Sequence, residues 1–373
     1  SFAAAAFFPA LVLGVFWKRA SKWGAVLGMV AGLGITVYYM VVNQAWLRGI
    51  FGVTQPVDLW FGILPISAGV FGVPLGVAAA RWKDRWPDNL VRAIAIVAAL
   101  FGPMPGSVAM EDPGYPDARN AFLIAGNRVL PVPVVEAGLQ VDNLPPQTKL
   151  VYTTPSYQFP TSVTLTQDRR HALLDRAEAG GFVILEDEYE AELRNPDRLP
   201  ALRALDRNER VIHVGSFSKT LSPGLRLGFM VAHPDIIREA RAIRVVQFRH
   251  VPTVVQEAAA IFIAKGYFDS HLRALDAELG ARREAMRTAV ARHLPEFQIG
   301  PSRGGTALWL QGPAGFDVAR FKHALLEHGV IVDSGEVFYQ DGIAHGCLRL
   351  AFAAVPADRI AEGVAEMARA LQG

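Results

Sequence analysis

Cysteine is almost absent from this 373-residue chain: Cys347 is the only one, which excludes a disulfide scaffold and a cysteine-ligated zinc site. Charge is missing in a more telling way. Between Ser1 and Ala80 the only charged side chains are Lys18, Arg19, Lys22, Arg48 and Asp58, whereas beyond Arg81 both signs are dense and intermixed. The bulk figures hide this seam, since a net charge of +2 and 51% hydrophobic residues would suit a large α/β protein throughout. No basic helix with a recognition pattern stands out and the charge is near balance, so nothing points to nucleic acid as a partner of this chain.

The charge-poor part holds three apolar runs, over 2–17, 23–42 and 59–80. The last two reach the roughly 20 residues that a helix needs to cross a bilayer core. The first is shorter, and the chain opens at Ser1 without an initiator methionine, which reads as a fragment. A secretory signal is disfavoured because Lys18 and Arg19 follow the apolar run instead of preceding it. A buried core hairpin is the remaining alternative. With three spans, Lys18, Arg19 and Lys22 fall on the same side of the membrane as Arg81, Lys83 and Arg85. The positive-inside rule makes that side cytoplasmic, and the rest of the chain with it. Residues 81–103 read as a junction, Val91 to Leu100 being apolar but too short to span.

Beyond the junction, strands alternate with helices. Expected strands are Ser107–Met110, Arg128–Val134 (an edge position, given its prolines), Lys149–Thr154, Phe182–Leu185, Val211–Val214 and Leu227–Val231. A helix is expected over Gln167–Ala179, with Thr166 as N-cap and Gly180-Gly181 as the stop. Ile236–Val246 and a long amphipathic stretch over Val254–His293 follow. A smaller unit closes the chain: strand Thr306–Gln311, helix Phe316–His328, strands Val330–Asp333 and Cys347–Phe352, and helix Ala357–Leu371. The pattern predicts an α/β fold, a mainly parallel sheet wrapped by helices and joined by a long helix to a small α/β domain. The expected division is a large domain over 104–250 and a small one over 251–373.

The chemistry-bearing stretch is Gly215-Ser216-Phe217-Ser218-Lys219-Thr220-Leu221 with Arg226 close behind, on a turn between two strands. Lysine there can form a Schiff base with an aldehyde, while serine hydroxyls and a guanidinium neutralise a phosphate. The alternative is a basic surface turn. Asp187 follows a continuous apolar strand, where clefts of α/β sheets lie. It also belongs to an acidic run with Glu186, Glu188, Glu190 and Glu192 that could be a solvated loop. Arg349, inside the apolar strand Leu348-Arg349-Leu350-Ala351-Phe352, calls for a buried anionic partner.

Two resemblances carry these readings further. Phe8-Pro9-Ala10-Leu11-Val12-Leu13-Gly14-Val15-Phe16-Trp17-Lys18-Arg19 and Leu59-Trp60-Phe61-Gly62-Ile63-Leu64-Pro65 are similar to the late helices of sodium:solute symporters of the cation/acetate branch, over about residues 1–80. In that family ions and substrate bind between earlier, broken spans, so the resemblance implies no transport by these three alone. From about residue 104 to the C-terminus, four motifs stand in family order: Glu111-Asp112-Pro113-Gly114-Tyr115-Pro116, Thr154-Pro155-Ser156-Tyr157-Gln158-Phe159-Pro160-Thr161, Glu186-Asp187-Glu188-Tyr189, and Ser216-Phe217-Ser218-Lys219 with Arg226. Together they resemble the aminotransferase-like domain of MocR-type regulators of the GntR family, within fold type I of the pyridoxal-phosphate enzymes.

That resemblance implies pyridoxal 5'-phosphate as cofactor, carried by Lys219 as an aldimine. It implies Asp187 on the pyridine nitrogen, Tyr189 on the phenolate oxygen and Tyr115 on the ring face, although either tyrosine could be ordinary packing. Ser216, Ser218 and Arg226 would hold the phosphate, and Arg349 an amino acid's carboxylate. The implied reaction is amino-group transfer between an amino acid and a 2-oxo acid, in a homodimer. Phe159 stands where catalytic members carry an asparagine, which points to the regulator branch, and Ser162 replaces a usual glycine. The Gly-Ser-Gln helix start that cradles the phosphate has no counterpart, since Asn89-Leu90-Val91-Arg92 lacks small residues. Nor does the winged helix-turn-helix of such regulators. The expected whole is an incomplete fold-type I unit behind an all-α transmembrane segment; the alternatives are an effector-sensing domain without turnover, a symporter-derived membrane protein, or a fusion without function.

Overall fold

In a computed structural model of the chain, the structure describes residues 89–102, 106–190, 193, 199–249, 252–301 and 304–372. The three expected spans at 2–17, 23–42 and 59–80 lie outside the described residues. Among the described residues no helix is long and apolar enough to cross a membrane.

The first described element is a helix where the sequence suggested a junction. Helix α1 (Asn89–Phe101) places Ile94, Val97 and Ala98 at helical spacing into the core of the α/β unit. There they meet Val108, Met110, Leu150, Tyr152, Leu185 and Ile212, so the stretch is a covering helix of the sheet. A unit boundary falls between Trp86 and Pro87, and the junction expected over 81–103 is corrected on that ground. An apolar run of this length serves a core as readily as a membrane, and periodicity alone does not separate the two.

Seven strands form the main sheet, in order β3-β2-β1-β4-β5-β6-β7. They are β1 (Ser107–Asp112), β2 (Arg128–Val135), β3 (Gly138–Leu139), β4 (Thr148–Thr153), β5 (Val183–Glu188), β6 (Val211–Ser216) and β7 (Gly228–Val231). Strands β2, β1, β4, β5 and β6 run parallel, with β3 and β7 antiparallel at the two edges. Successive residues feed opposite faces: Leu150 and Tyr152 enter one core cluster and Val151 the other, and Leu185 and Ile184 divide in the same way. Both faces are covered, which is why these strands read as continuous apolar runs. The prolines of β2 are tolerated because β3 pairs only with its end, at Val134 and Val135.

Helix α2 (Pro116–Ile124), not anticipated from the sequence, follows β1, and helix α3 (Gln167–Gly180) follows β4. Gly181 ends α3 in the left-handed region at φ 65°, while Thr166 occupies the N-cap position without a side-chain cap bond. Short helix α4 (Leu202–Leu205) precedes β6, and α5 (Pro234–Phe248) follows β7. The long stretch expected over Val254–His293 is two helices, α6 (Thr253–Ala264) and α7 (Tyr267–His293), broken at Gly266 with φ 72°. A second sheet, ordered β10-β11-β9-β8, is built from β8 (Gln298–Ile299), β9 (Ala307–Gln311), β10 (Asp333–Ser334) and β11 (Cys347–Ala351). The strand expected at Val330–Asp333 is thus shorter and later. Helices α8 (Val318–Glu327) and α9 (Ala357–Gln372) close a separate core with the end of α7, through Met286, Val290, Phe321, Leu325, Val364 and Met367.

Candidate active site

Because β1, β4, β5 and β6 are parallel, their C-terminal ends share one edge of the sheet, and the four sequence motifs all lie there. At the end of β5 the acidic run is interior as far as Glu190 and not a solvated loop there, Glu192 lying outside the described residues: Glu186 is 0%, Asp187 1%, Glu188 3% and Glu190 1% exposed. Each buried carboxylate is hydrogen-bonded, as burial of charge demands. Glu186 accepts from the backbone of Leu202 and Arg203 and from His213 Nδ1. Asp187 Oδ2 accepts the Tyr152 hydroxyl at 2.5 Å. Glu188 Oε1 accepts from Ser156 Oγ at 2.6 Å, and Glu190 Oε1 from Thr306 Oγ1.

Tyr152 escaped the sequence reading. Its ring faces the buried core cluster and its hydroxyl sits on Asp187, so that burial, with the carboxylate beside it, pushes the phenol well above its ordinary range. The signal available in the sequence was its place near the end of a strand that leads into a motif.

Glu111, near the end of β1, is a second hub that the sequence reading left without a role. It accepts from Thr153 Oγ1 at 2.6 Å, Thr154 Oγ1 at 2.7 Å, Gln158 Nε2 at 3.2 Å and the Thr154 backbone N–H. Burial raises its carboxyl even so, the hydrogen bonds only offsetting the loss of water. Thr154 Oγ1 in turn accepts the Phe159 N–H at 2.9 Å, which fixes the Phe159 backbone. Ser162 has φ 61°, a conformation that favours glycine, in keeping with the glycine expected at that position.

Phe159 is the centre of an aromatic cluster. Its ring lies 5.1 Å from Tyr115, 5.9 Å from Tyr189 and 5.5 Å from Phe338, all edge-on. The Arg349 guanidinium stands 4.8 Å from the same ring centroid and pairs with Asp333 at 3.2 Å, its side chain 12% exposed. Tyr115, Tyr189 and Arg349 are therefore brought together from distant stretches. Burial, with the charge of Glu190, holds the Tyr189 phenol well above its usual range, against the opposing pull of Arg349.

Lys219 lies on the turn that follows β6, exposed, with Ser216 and Ser218 buried beside it and the Ser218 N–H donating to Ser216 Oγ at 3.1 Å. The charges of Lys219 and Arg349 both act on Glu190, whose carboxyl burial otherwise raises. His271 of α7 hydrogen-bonds the Thr220 carbonyl at 2.7 Å and tethers the turn. Arg226 follows a short helical turn at Pro223–Leu225, half-buried and left-handed at φ 52°.

The family described as aminotransferase class I and II matches residues 91–367. The chain is 40% identical over 266 residues to the HTH-type transcriptional regulator TauR of Rhodobacter capsulatus, a match covering 71% of this chain and 55% of the regulator. It is 32% identical over 316 residues to 2-aminoadipate transaminase of Thermus thermophilus, covering 80% and 79% of the two chains. The solved structure of LysN, the alpha-aminoadipate aminotransferase of Thermus thermophilus complexed with N-(5'-phosphopyridoxyl)-L-leucine, matches with a TM-score of 0.72 at 31% identity, over 80% of this chain and 81% of that one. The chain thus spans little more than half the length of the regulator that it matches.

Proposed function

The chain belongs to the aminotransferase class I and II family, and we propose that its α/β unit binds pyridoxal phosphate at the β1–β4–β5–β6 edge and moves an amino group between an amino acid and a 2-oxo acid. The observation that carries this reading is the meeting of Tyr115, Tyr189 and Arg349 around the Phe159 ring, at the sheet edge where Asp187 lies near the end of β5 and the turn bearing Lys219 follows β6. The donor set suits the cofactor: a buried carboxylate held by Tyr152 for a cationic ring nitrogen, aromatic walls for a flat ring, and serine hydroxyls for an anionic group.

When bound, the cofactor supplies the electron sink that makes an amino acid's α-proton acidic. Asp187 would keep the ring nitrogen protonated, and the Tyr152 hydroxyl holds Asp187 Oδ2 in place. Lys219 would hold the cofactor through its aldehyde carbon, the carbonyl oxygen leaving as water, and once the substrate's amine has displaced it the freed Nζ would carry the substrate's α-proton. Ser216, Ser218 and Arg226 would hold the phosphate. Arg349 would orient the substrate through its carboxylate, and Tyr189 would donate to the phenolate oxygen.

Borohydride treatment of the full chain incubated with pyridoxal phosphate, followed by peptide mapping, should place the label on Lys219; label elsewhere, or none, removes this reading. A second reading, effector sensing without turnover, is favoured by Phe159 at the centre of the aromatic cluster and by the similarity to a regulator. Amino acids would then change the cofactor's absorbance without forming 2-oxo acid. The further proposals are that this unit works as a homodimer and that residues 1–80 are a symporter-like segment anchoring it to the cytoplasmic face of a membrane. Sedimentation of the detergent-purified chain and alkaline extraction of membranes test these two points.

A further inference from the structure

Two segments of the small sheet's part of the chain, the entry to β9 and the stretch between β10 and β11, each meet a carboxylate from the edge of the main sheet, and so divide the molecule into a large lobe and a small one. In the small sheet β11 lies between β10 and β9, with Arg349 opposite Asp333 on one side and Trp309 on the other. Strand β9 is entered through Thr306, whose hydroxyl and backbone N–H both reach Glu190. Glu190 directly follows Tyr189 at the end of β5, and it is 1% exposed. On the far side, the short helical turn Gly335–Val337 follows β10, and the Gln340 N–H then donates to Asp112 Oδ1 at 2.9 Å. Asp112 is the last residue of β1.

Around these two contacts the main sheet's edge and the small sheet also meet through the Phe159 ring, which packs on Phe338 and under Arg349, and through further hydrogen bonds. Gly114 N–H donates to the Phe338 carbonyl at 3.1 Å, and Arg119 reaches the carbonyls of Val337 and Phe338. Glu190 differs from all of them in being a fully buried carboxylate packed against a glycine turn: a Cβ on Gly305 would lie 3.2 Å from its Oε2. A charge kept out of water is a costly way to hold two pieces of chain together, which a greasy contact could do as well. What it gains is direction. Hydrogen bonds to a fixed carboxylate define where β9 begins relative to Tyr189, to within the tolerance of the bond itself.

We propose that Glu190, with Asp112 in a lesser part, is a positioning residue: it clasps the elements flanking β11 and so sets the separation between Arg349 and the cofactor-facing end of β5. Arg349 has no such fixed tie of its own to the large lobe beyond its stacking on Phe159 among the described contacts. Its reach towards a substrate carboxylate is therefore set by where β9 and β10 are pinned. This rests on the proposed function, in which Arg349 receives the carboxylate.

The test uses the full chain loaded with pyridoxal phosphate. From a panel of the twenty L-amino acids, the one giving the largest absorbance change is titrated against the parent, Glu190→Ala, Glu190→Gln, Thr306→Val and Asp112→Asn. Glu190→Ala and Thr306→Val should each raise the half-saturating concentration about tenfold, the size of one charge-assisted hydrogen bond. The double variant should lose no more than the worse single one, because both remove the same clasp. Glu190→Gln, which keeps an acceptor, should be partly rescued, and Asp112→Asn should shift by less. The corresponding amine lacking the carboxylate should titrate alike in all variants, and Lys219 labelling by pyridoxal phosphate and borohydride should be unchanged. Titrations within twofold of the parent for both Glu190→Ala and Thr306→Val overturn the clasp. So does an equal loss of Lys219 labelling in those variants, which would mark a general structural defect. Should Glu190→Ala fail to fold, Thr306→Val alone decides. Absence of label in the parent overturns the functional reading, and this inference falls with it.

Discussion

The ends of β1, β4 and β5 and the turn after β6 share one edge of the sheet, but they are held in contrasting ways. Along the first three, every carboxylate that enters the interior is met by hydroxyl or amide donors from neighbouring elements: Glu111 by Thr153, Thr154 and Gln158, Asp187 by Tyr152, and Glu188 by Ser156. On the turn after β6, Lys219 is exposed, and the turn is held by backbone bonds such as Phe217 N–H to the Leu227 carbonyl, by the Ser218–Ser216 bond and by the hold of His271 on the Thr220 carbonyl. The ring-facing half of the site is thus part of the folding core, and the lysine-bearing half is a loop mounted on it. The lesson is that substitutions should separate: the first half governs stability as well as binding, the second binding and chemistry alone.

The largest expected effect breaks the comparison from the loop side. Lys219→Ala should abolish borohydride-fixed label and lower transamination by at least about a thousandfold, roughly 4 kcal/mol of barrier. Its unfolding free energy should stay within about 0.5 kcal/mol of the parent's, because the side chain is exposed. Equilibrium urea unfolding beside the activity assay reads both.

Next comes the core side. Glu111→Leu strands the Thr153 and Thr154 hydroxyls and the Thr154 N–H away from water, while the Gln158 amide keeps the Pro113 and Phe159 carbonyls. Each buried donor left without a partner costs about 1–3 kcal/mol, so a loss of about 3 kcal/mol or more is expected in the same urea experiment. Parent-like stability would erase the distinction between the two halves.

The smallest effect sharpens the comparison through pH. Burial, then the charge of Glu186, pushes the Glu188 carboxyl from 4.5 up to about 8. A raised carboxyl favours the folded state while it is protonated, so its contribution is full below the unfolded value of 4.5 and is lost as pH rises through about 8. Melting temperature should therefore fall more between pH 5 and 8.5 in the parent than in Glu188→Gln. Parallel curves for the two proteins would show that this carboxyl does not titrate as its surroundings require.

How much of this was legible beforehand differs from residue to residue. The strand before Asp187 was readable because a sheet covered on both faces demands an uninterrupted apolar run, and Val183-Ile184-Leu185 is one. The turn bearing Lys219 was readable from its composition and from the strands that flank it. Helix α1 was read as a junction because a short, mostly apolar stretch around Arg92, next to a charge-poor region, carries no mark of which surface it will cover. The break at Gly266 was missed because a single glycine does not by itself end an amphipathic pattern. Tyr152 and the role of Glu111 were invisible, since nothing in a strand's local pattern says which side chain on another strand will lie beside its end.

The amino-acid sequence by itself determined the order and type of most of the described elements and the family, and it supplied the residues proposed to carry the chemistry. Those follow from hydrophobic period, turn residues and functional groups, which are properties of short stretches. Only the tertiary structure decided that the acidic run at Glu186–Glu190 is interior and that Arg349 stacks on Phe159. It alone decided that Glu190 meets Thr306 across the lobes. These depend on which strand ends become neighbours, and the free energy that selects those neighbours belongs to the packed sheet and its covering helices rather than to any one segment.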